Sequence, residues 1–176
     1  MTERKILINR APVLTLWATT VAERLGFDHD EALSLGKAVA GLTAQSKGQR
    51  LGIYKPVPQE VKKAHARKPG EEFLVEICGR QVPAVNTNEG VRAVTKNKPL
   101  EAKSVERYLE SKFGDSLDAA RAAMRDLAKA FRPEQLSKNA FGLYERFRPA
   151  IPEGVTGWGV KGWLDIDRLR SLASEN

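Results

Sequence analysis

The sequence predicts a mainly α-helical (α+β) fold, a helical bundle with one antiparallel β-hairpin near its middle. Apolar residues recur three and four positions apart over long stretches of both halves, as they do along helices. Strand-like alternation of apolar residues is concentrated in one stretch, 71–85. The 176 residues, 41% of them hydrophobic, can bury an ordinary core. We expect a unit at 1–86 and a helical unit at 98–176, packed together as one compact domain.

The chain opens with "KILIN", a short strand or extended arm, and continues into a first helix from Pro12 to Gly26. Arg10 interrupts the apolar run, and charged residues follow it without a cleavage site. We therefore interpret this segment as an amphipathic helix and not as a signal peptide, and expect a cytoplasmic protein. No apolar run reaches the ~18 residues that span a bilayer.

The second helix begins at Asp28, which with Glu31 makes a variant of the capping box. Ala32, Gly36 and Ala40 follow four residues apart and form a ridge of small side chains. Such a ridge lets another helix approach closely, so we expect tight antiparallel packing on the first helix.

The middle of the chain contains the predicted third helix and the hairpin. Pro58 begins the helix "PQEVKKAHARK", which has few apolar residues. In the hairpin, Gly79-Arg80 forms the turn, and Pro83 indicates that the return strand lies at an edge. Residues 86–99 are interpreted as a loop.

The second half is predicted to be helical. One helix ends near Phe113, the next is capped by Asp115 and ends near Phe131, and another begins at Pro133 and is stopped by Pro149. A Gly-rich irregular loop, 152–163, then leads into a short last helix, "DIDRLRSLA".

The positive charge is concentrated in one segment. Residues 44–70, here called the basic segment, have seven basic side chains and one acidic, whereas the whole chain has a net charge of +7. Like charges that lie close together repel one another unless an anion relieves the repulsion. Solubility alone also explains many charged surfaces, so both interpretations stay open.

The order of elements suggests how an anion could bind. Three helices followed by a hairpin is the order of a winged-helix domain, in which the third helix enters the major groove. The fit is imperfect, because about ten residues connect the second and third helices. We predict binding to nucleic acid, preferably DNA and largely through its backbone. The predicted contacts are Lys47, Arg50, Lys55, Lys62, Lys63, Arg67, Lys68 and, at the hairpin tip, Arg80.

A protein–protein adaptor is the alternative. Its basic face would meet an acidic partner, and Trp158 and Trp163 of the glycine-rich tail would supply an apolar anchor. Tyr144 and Phe147 could extend these into an aromatic patch. The competing interpretation is that both Trp rings fold the tail back onto the helices.

Catalytic motifs are weak in this sequence, and we expect no cofactor, no metal site and, on balance, no enzyme. The chain has neither a P-loop nor a dinucleotide-binding fingerprint. Asp165 and Asp167 are two apart, which favours a helix cap over a pair of catalytic carboxylates. Cys78 lies within an apolar strand pattern and is predicted to be a buried, inert thiol.

Overall fold

The computed structural model describes residues 5–48, 72–95, 98–149 and 161–174. Its helices are α1 Arg10–Arg24, α2 His29–Gly48, α3 Ala102–Phe113, α4 Leu117–Lys129, α5 Pro133–Phe147 and α6 Ile166–Ser174. Its strands are β1 Lys5–Asn9, β2 Glu72–Ile77, β3 Arg80–Thr87, β4 Gly90–Thr95, β5 Lys98–Pro99 and β6 Lys161–Asp165. A mainly helical α+β class is confirmed. The predicted third helix lies outside the described residues.

Helix α1 runs through the centre of the core. Every residue from Pro12 to Ala22 is buried, so the helix is enclosed on all sides and is not the amphipathic surface helix that the sequence suggested. Its polar residues do not prevent this burial, because each threonine hydroxyl donates to the carbonyl four residues earlier. These hydroxyls belong to Thr15, Thr19 and Thr20.

Aromatic side chains of α5 pack around α1. The indole Nε1 of Trp17 donates to the carbonyl of Ala140 at 2.9 Å. The Trp17 and Phe147 rings meet edge to face with centroids 5.3 Å apart, and Tyr144 contacts Phe147 in the same way at 5.9 Å. Tyr144 and Phe147 are therefore core residues, and the prediction that they extend an exposed aromatic patch is wrong.

Helices α1 and α2 pack as closely as their backbones allow. A β-carbon placed on Gly36 would lie against Thr19 Oγ1, 2.6 Å from the Thr15 carbonyl oxygen and 2.7 Å from the Thr19 amide nitrogen. Only glycine fits there, which confirms the close approach predicted from the ridge of small residues.

The central strands form a four-stranded antiparallel meander in the order β2-β3-β4-β5, so the prediction of a single hairpin is incomplete. The stretch expected to be a loop contains β4, which has buried Val91 and Ala93. Strand β3 is not an edge, since it pairs with both β2 and β4. Pro83 is nevertheless tolerated because pairing with β4 begins only at Ala84. A winged-helix arrangement is not confirmed.

The turn between β2 and β3 is one residue earlier than predicted. Ile77 pairs with Arg80, which places Cys78 and Gly79 in the turn. Both have positive φ, 51° and 77°, as a type I′ turn requires. The sequence Cys-Gly is an unusual choice for this turn, and this explains why the pattern pointed to Gly79-Arg80 instead.

Side chains of α2 hold the meander. Asp28 and Glu31 form the predicted reciprocal capping box, with backbone-to-carboxylate distances of 2.8 and 3.0 Å. The other oxygen of Glu31 accepts from the amide of Val91 at 2.9 Å, and Ser34 Oγ accepts from the amide of Ala93 at 3.0 Å. These contacts satisfy strand amides of β4 with helix side chains.

The two ends of the described chain pair with each other. Strand β1, predicted as a strand or arm, pairs antiparallel with β6, which lies partly within the region predicted to be irregular. The alternation of Gly162 and Leu164 inward with Lys161 and Trp163 outward is visible only once the pairing is known.

Among the described residues, no helix is long and apolar enough to cross a bilayer.

Candidate nucleic-acid interface and exposed apolar face

The basic segment connects the end of α2 to the start of β2. Lys47 lies in the last turn of α2, and nothing is described of its side chain. Arg50, Lys55, Lys62, Lys63, Arg67 and Lys68 lie outside the described residues. The predicted contribution of these cations to nucleic-acid binding therefore stays a prediction.

Arg80 is the one predicted phosphate contact whose side chain is described. It is the first residue of β3 and not part of the turn. Its Nε donates to Thr43 Oγ1 at 3.2 Å, and its guanidinium carbon lies 5.8 Å from the centroid of the Phe141 ring. Arg80 is thus half-buried and ties the sheet to α2 and α5, which restricts the freedom of its guanidinium to reach a ligand.

Arg80 nevertheless lies close to where the basic segment begins. Thr43 and Lys47 are four residues apart on α2, so their Cα atoms share a face of the helix about 6 Å apart along its axis. The fold therefore places Arg80 of β3 towards the end of α2, which carries Lys47, another of the predicted phosphate contacts.

The two-stranded sheet has an exposed apolar pair. Trp163 is 57% exposed and Leu7 is 50% exposed, and they are the large exposed hydrophobic residues of the described chain. They are also direct cross-strand partners in the β1–β6 register. We call this pair the Trp163–Leu7 face. The interpretation that the Trp163 ring folds back onto the helices does not hold, whereas Trp158 lies outside the described residues.

Polar residues flank the Trp163–Leu7 face on both sides. Lys5 is opposite Asp165, and Asn9 is opposite Lys161. Because side chains alternate along a strand, these residues point to the same side of the sheet as the apolar pair. Sequence analysis missed Leu7, although the alternating pattern of "KILIN" was a signal that every second residue could be exposed.

A cluster of charges joins α1, α2, α3 and α4. His29 Nδ1 lies 2.7 Å from a Glu23 oxygen, and His29 Nε2 lies 3.5 Å from Glu106. Arg121 binds Glu106 at 2.8 Å, and Arg125 binds Glu23 at 3.3 Å. The hydrogen bond from Arg121 lowers the pKa of the Glu106 carboxyl. The cluster is an ion-pair network that links these four helices.

Cys78 and the Asp165–Asp167 pair have structural roles. Cys78 is buried, as predicted, and burial raises the pKa of its thiol from 9.0 to about 12, so it remains protonated at neutral pH. Asp165 Oδ1 accepts from the backbone amide of Asp167 at 3.0 Å at the start of α6. This confirms the interpretation of Asp165 as a helix cap.

Among the described residues, no three His, Cys, Asp or Glu side chains are grouped so that they could hold a metal ion. Comparisons of the chain with protein-family models, with curated proteins and with solved structures found no significant match.

Proposed function

We propose that this protein binds nucleic acid through the basic segment, mainly by contacts to backbone phosphates. The observation that carries the proposal is the charge distribution: residues 44–70 hold seven basic side chains and one acidic, out of a net charge of +7 for the chain. Each phosphate neutralised by Lys or Arg releases condensed counterions, which favours such a segment on a polyanion. The cations are distributed over 27 residues of the chain, which suits an extended ligand better than one small phosphate.

Duplex DNA is the preferred ligand, with the predicted helix from Pro58 as the element that meets it. In a winged-helix-like arrangement, this helix would enter the major groove, and Lys62 and Lys63 would contact the phosphates. Arg80 would contribute at the margin, because its Nε is already bound to Thr43. We infer a cytoplasmic location for this activity.

A salt titration tests the proposal directly. We would measure binding to a labelled random duplex and to a single strand of equal length over a range of salt concentrations. If roughly four or five phosphates are neutralised, log affinity falls with log salt with a slope of about −4. Absence of binding to both the duplex and the single strand at low salt would reject the proposal, and stronger binding to the single strand would reject duplex DNA as the ligand.

Charge reversal locates the interface. The variant Lys62→Glu/Lys63→Glu should weaken binding to all sequences alike, since phosphate contacts carry no sequence information. The matched control is Lys112→Glu/Lys138→Glu, which makes the same change in net charge at exposed positions of α3 and α5. Equal weakening by both variants would show a general charge effect and would contradict a localised interface.

A protein–protein adaptor remains the second candidate because of the Trp163–Leu7 face. Exposed tryptophans are enriched at partner surfaces, and here a second apolar side chain lies directly opposite. A photo-cross-linking residue at position 163 tests it in cells, with exposed position 170 on α6 as the control. A discrete protein adduct specific to position 163 supports the adaptor, whereas a nuclease-sensitive adduct assigns this face to nucleic acid.

A further inference from the structure

A polar cleft of about 540 Å³ lies where the β3–β4 turn meets the first turns of α2 and α3. Its size is within the range of small-molecule sites. Its charged lining residues are Arg92, Lys103, Arg107, Asp30, Glu89 and Glu101. None of these belongs to the basic segment.

Arg92 is the most buried of these charged side chains. It is 7% exposed, and its Nη1 donates to the carbonyl of the adjacent Val91 at 2.9 Å. The carboxylate of Glu31 also lies near Gly90 and accepts from the backbone amides of Asp28 and Val91, but the salt bridges of the described residues include none between Glu31 and Arg92. A buried guanidinium normally has an anionic partner, since removing its charge from water is costly.

Among the described residues, no other charged residue of the cleft forms a salt bridge with Arg92. The salt bridges among the described residues join Glu23, His29, Glu106, Arg121 and Arg125, and none involves a charged residue of the cleft. Asp30, Glu89 and Glu101 are exposed. Arg92 therefore keeps guanidinium donors available for an anion that enters the cleft.

Helix α3 contributes further positive potential. Its N-cap residue, Glu101, makes no side-chain hydrogen bond to the first amides of the helix. Uncapped amides and the helix dipole favour an anion at this end. Lys103 and Arg107 lie four residues apart on α3 and so share the face that lines the cleft.

We propose that this cleft binds the phosphate group of a small phosphomonoester, with Arg92 as its buried anchor and Lys103 and Arg107 at its mouth. The planar guanidinium group matches phosphate oxygens in a bidentate geometry. The exposed carboxylates would face the rest of the molecule and accept hydrogen bonds from its hydroxyl or amino groups. This site goes beyond the proposed nucleic-acid binding and does not depend on it.

Calorimetric titration with inorganic phosphate tests the site. The wild type should show saturable binding, and Arg107→Gln should weaken it at least about fivefold through loss of a charge-assisted contact. Lys112→Gln, the same loss of one positive charge on the same helix but outside the cleft, should change affinity by less than about twofold. Arg92→Lys keeps the positive charge but loses the planar guanidinium group, so it should also weaken phosphate binding.

Three outcomes would overturn the proposal. The first is no saturable binding, and the second is equal weakening by Arg107→Gln and Lys112→Gln. The third is displacement of phosphate by duplex DNA, which would make the nucleic-acid backbone the ligand of the cleft. The variant Lys62→Glu/Lys63→Glu separates the two proposals, because it should weaken duplex binding and leave phosphate binding intact.

Discussion

Replacing Gly36 by alanine should destabilise the protein, because the added methyl group meets backbone atoms of α1. Ordinary contacts of a β-carbon lie at 3.4–4 Å, whereas the Thr15 carbonyl oxygen would be 2.6 Å away. The two helices would have to separate by about 1 Å, and overpacking of this kind costs about 1–3 kcal/mol. Alanine is the better helix former by about 0.5–1 kcal/mol, which offsets part of this cost, so a net loss of about 1 kcal/mol in the free energy of unfolding is expected.

The matched control is Gly41→Ala in the same helix. Position 41 is exposed, and a β-carbon there meets nothing within 4 Å. This variant should therefore gain about 0.5–1 kcal/mol from helix propensity alone. The difference between two glycine-to-alanine changes in α2 isolates the packing contribution.

Urea unfolding, followed by far-UV circular dichroism, measures both variants. At about 1 kcal/mol, Gly36→Ala should also lower Tm by roughly 2–4 °C for a chain of this size. Adding Thr19→Ala should not restore stability, since the remaining close contacts are to the backbone atoms of Thr15 and Thr19. If Gly36→Ala unfolds at the same urea concentration as Gly41→Ala, the close approach of α1 and α2 is refuted.

Three further predictions concern individual side chains. Glu31→Ala removes one of the two hydrogen bonds of the α2 capping box and the acceptor for the Val91 amide, so urea unfolding should show a loss of about 1–3 kcal/mol. The Cys78 thiol should react with a thiol reagent only on unfolding, and its contribution to stability should be constant below pH 9.0 and fall from there towards pH 12, because the unfolded thiol ionises first. Since the pKa of Glu106 is lowered in the folded state, its bond to Arg121 should stabilise the protein above the carboxyl's ordinary pKa of 4.5, and this contribution should be lost as pH falls through the lowered value. Arg121→Gln should remove it, at about 1 kcal/mol for a pair whose side chains are 14% and 27% exposed.

Each of these predictions has a control. Asp30→Ala also removes an acid from the first turn of α2, but among the described residues no hydrogen bond joins this acid to β4. An equal loss of stability in this variant would contradict the role assigned to Glu31. For Cys78, a serine variant should lose part of the decline at alkaline pH, and rapid labelling of the native thiol would refute its burial. For the Glu106–Arg121 ion pair, the control is Glu110→Gln on α3, which should leave the loss of stability at acid pH unchanged. If Glu110→Gln changes this loss as much as Arg121→Gln does, the contribution assigned to the ion pair is contradicted.

Local signals predicted much of the helical architecture. The capping residues Asp28 and Glu31 and the ridge through Gly36 indicated both the start of α2 and its close packing, because caps and helix spacing act within a few residues. Prolines and glycines likewise marked the beginning of α5 and the end of α3. The basic segment was also visible directly, since charge density needs no fold to be counted.

Strand pairing could not be predicted in the same way. The sequence predicts a loop at β4 because the alternation of apolar residues there is short. The backbone amides of β4 are bound partly by Glu31 and Ser34, which are about 60 residues away in sequence. Strand β6 depends on β1 at the other end of the described chain. Pairings across such distances have no local sequence signature, since the hydrogen bonds are made by the backbone.

The sequence by itself determined the helical periodicity, the caps, the turn-forming glycines and the concentration of positive charge, because these depend on neighbouring residues or on composition. Only the tertiary structure decided that α1 is enclosed on all sides, that Trp163 and Leu7 lie side by side at the surface, and that the buried Arg92 lines a cleft together with Lys103 and Arg107 of α3. Burial and charge pairing depend on what the rest of the chain places around a residue. The Trp163–Leu7 face and the cleft at Arg92 are therefore set by long-range packing that no local pattern encodes.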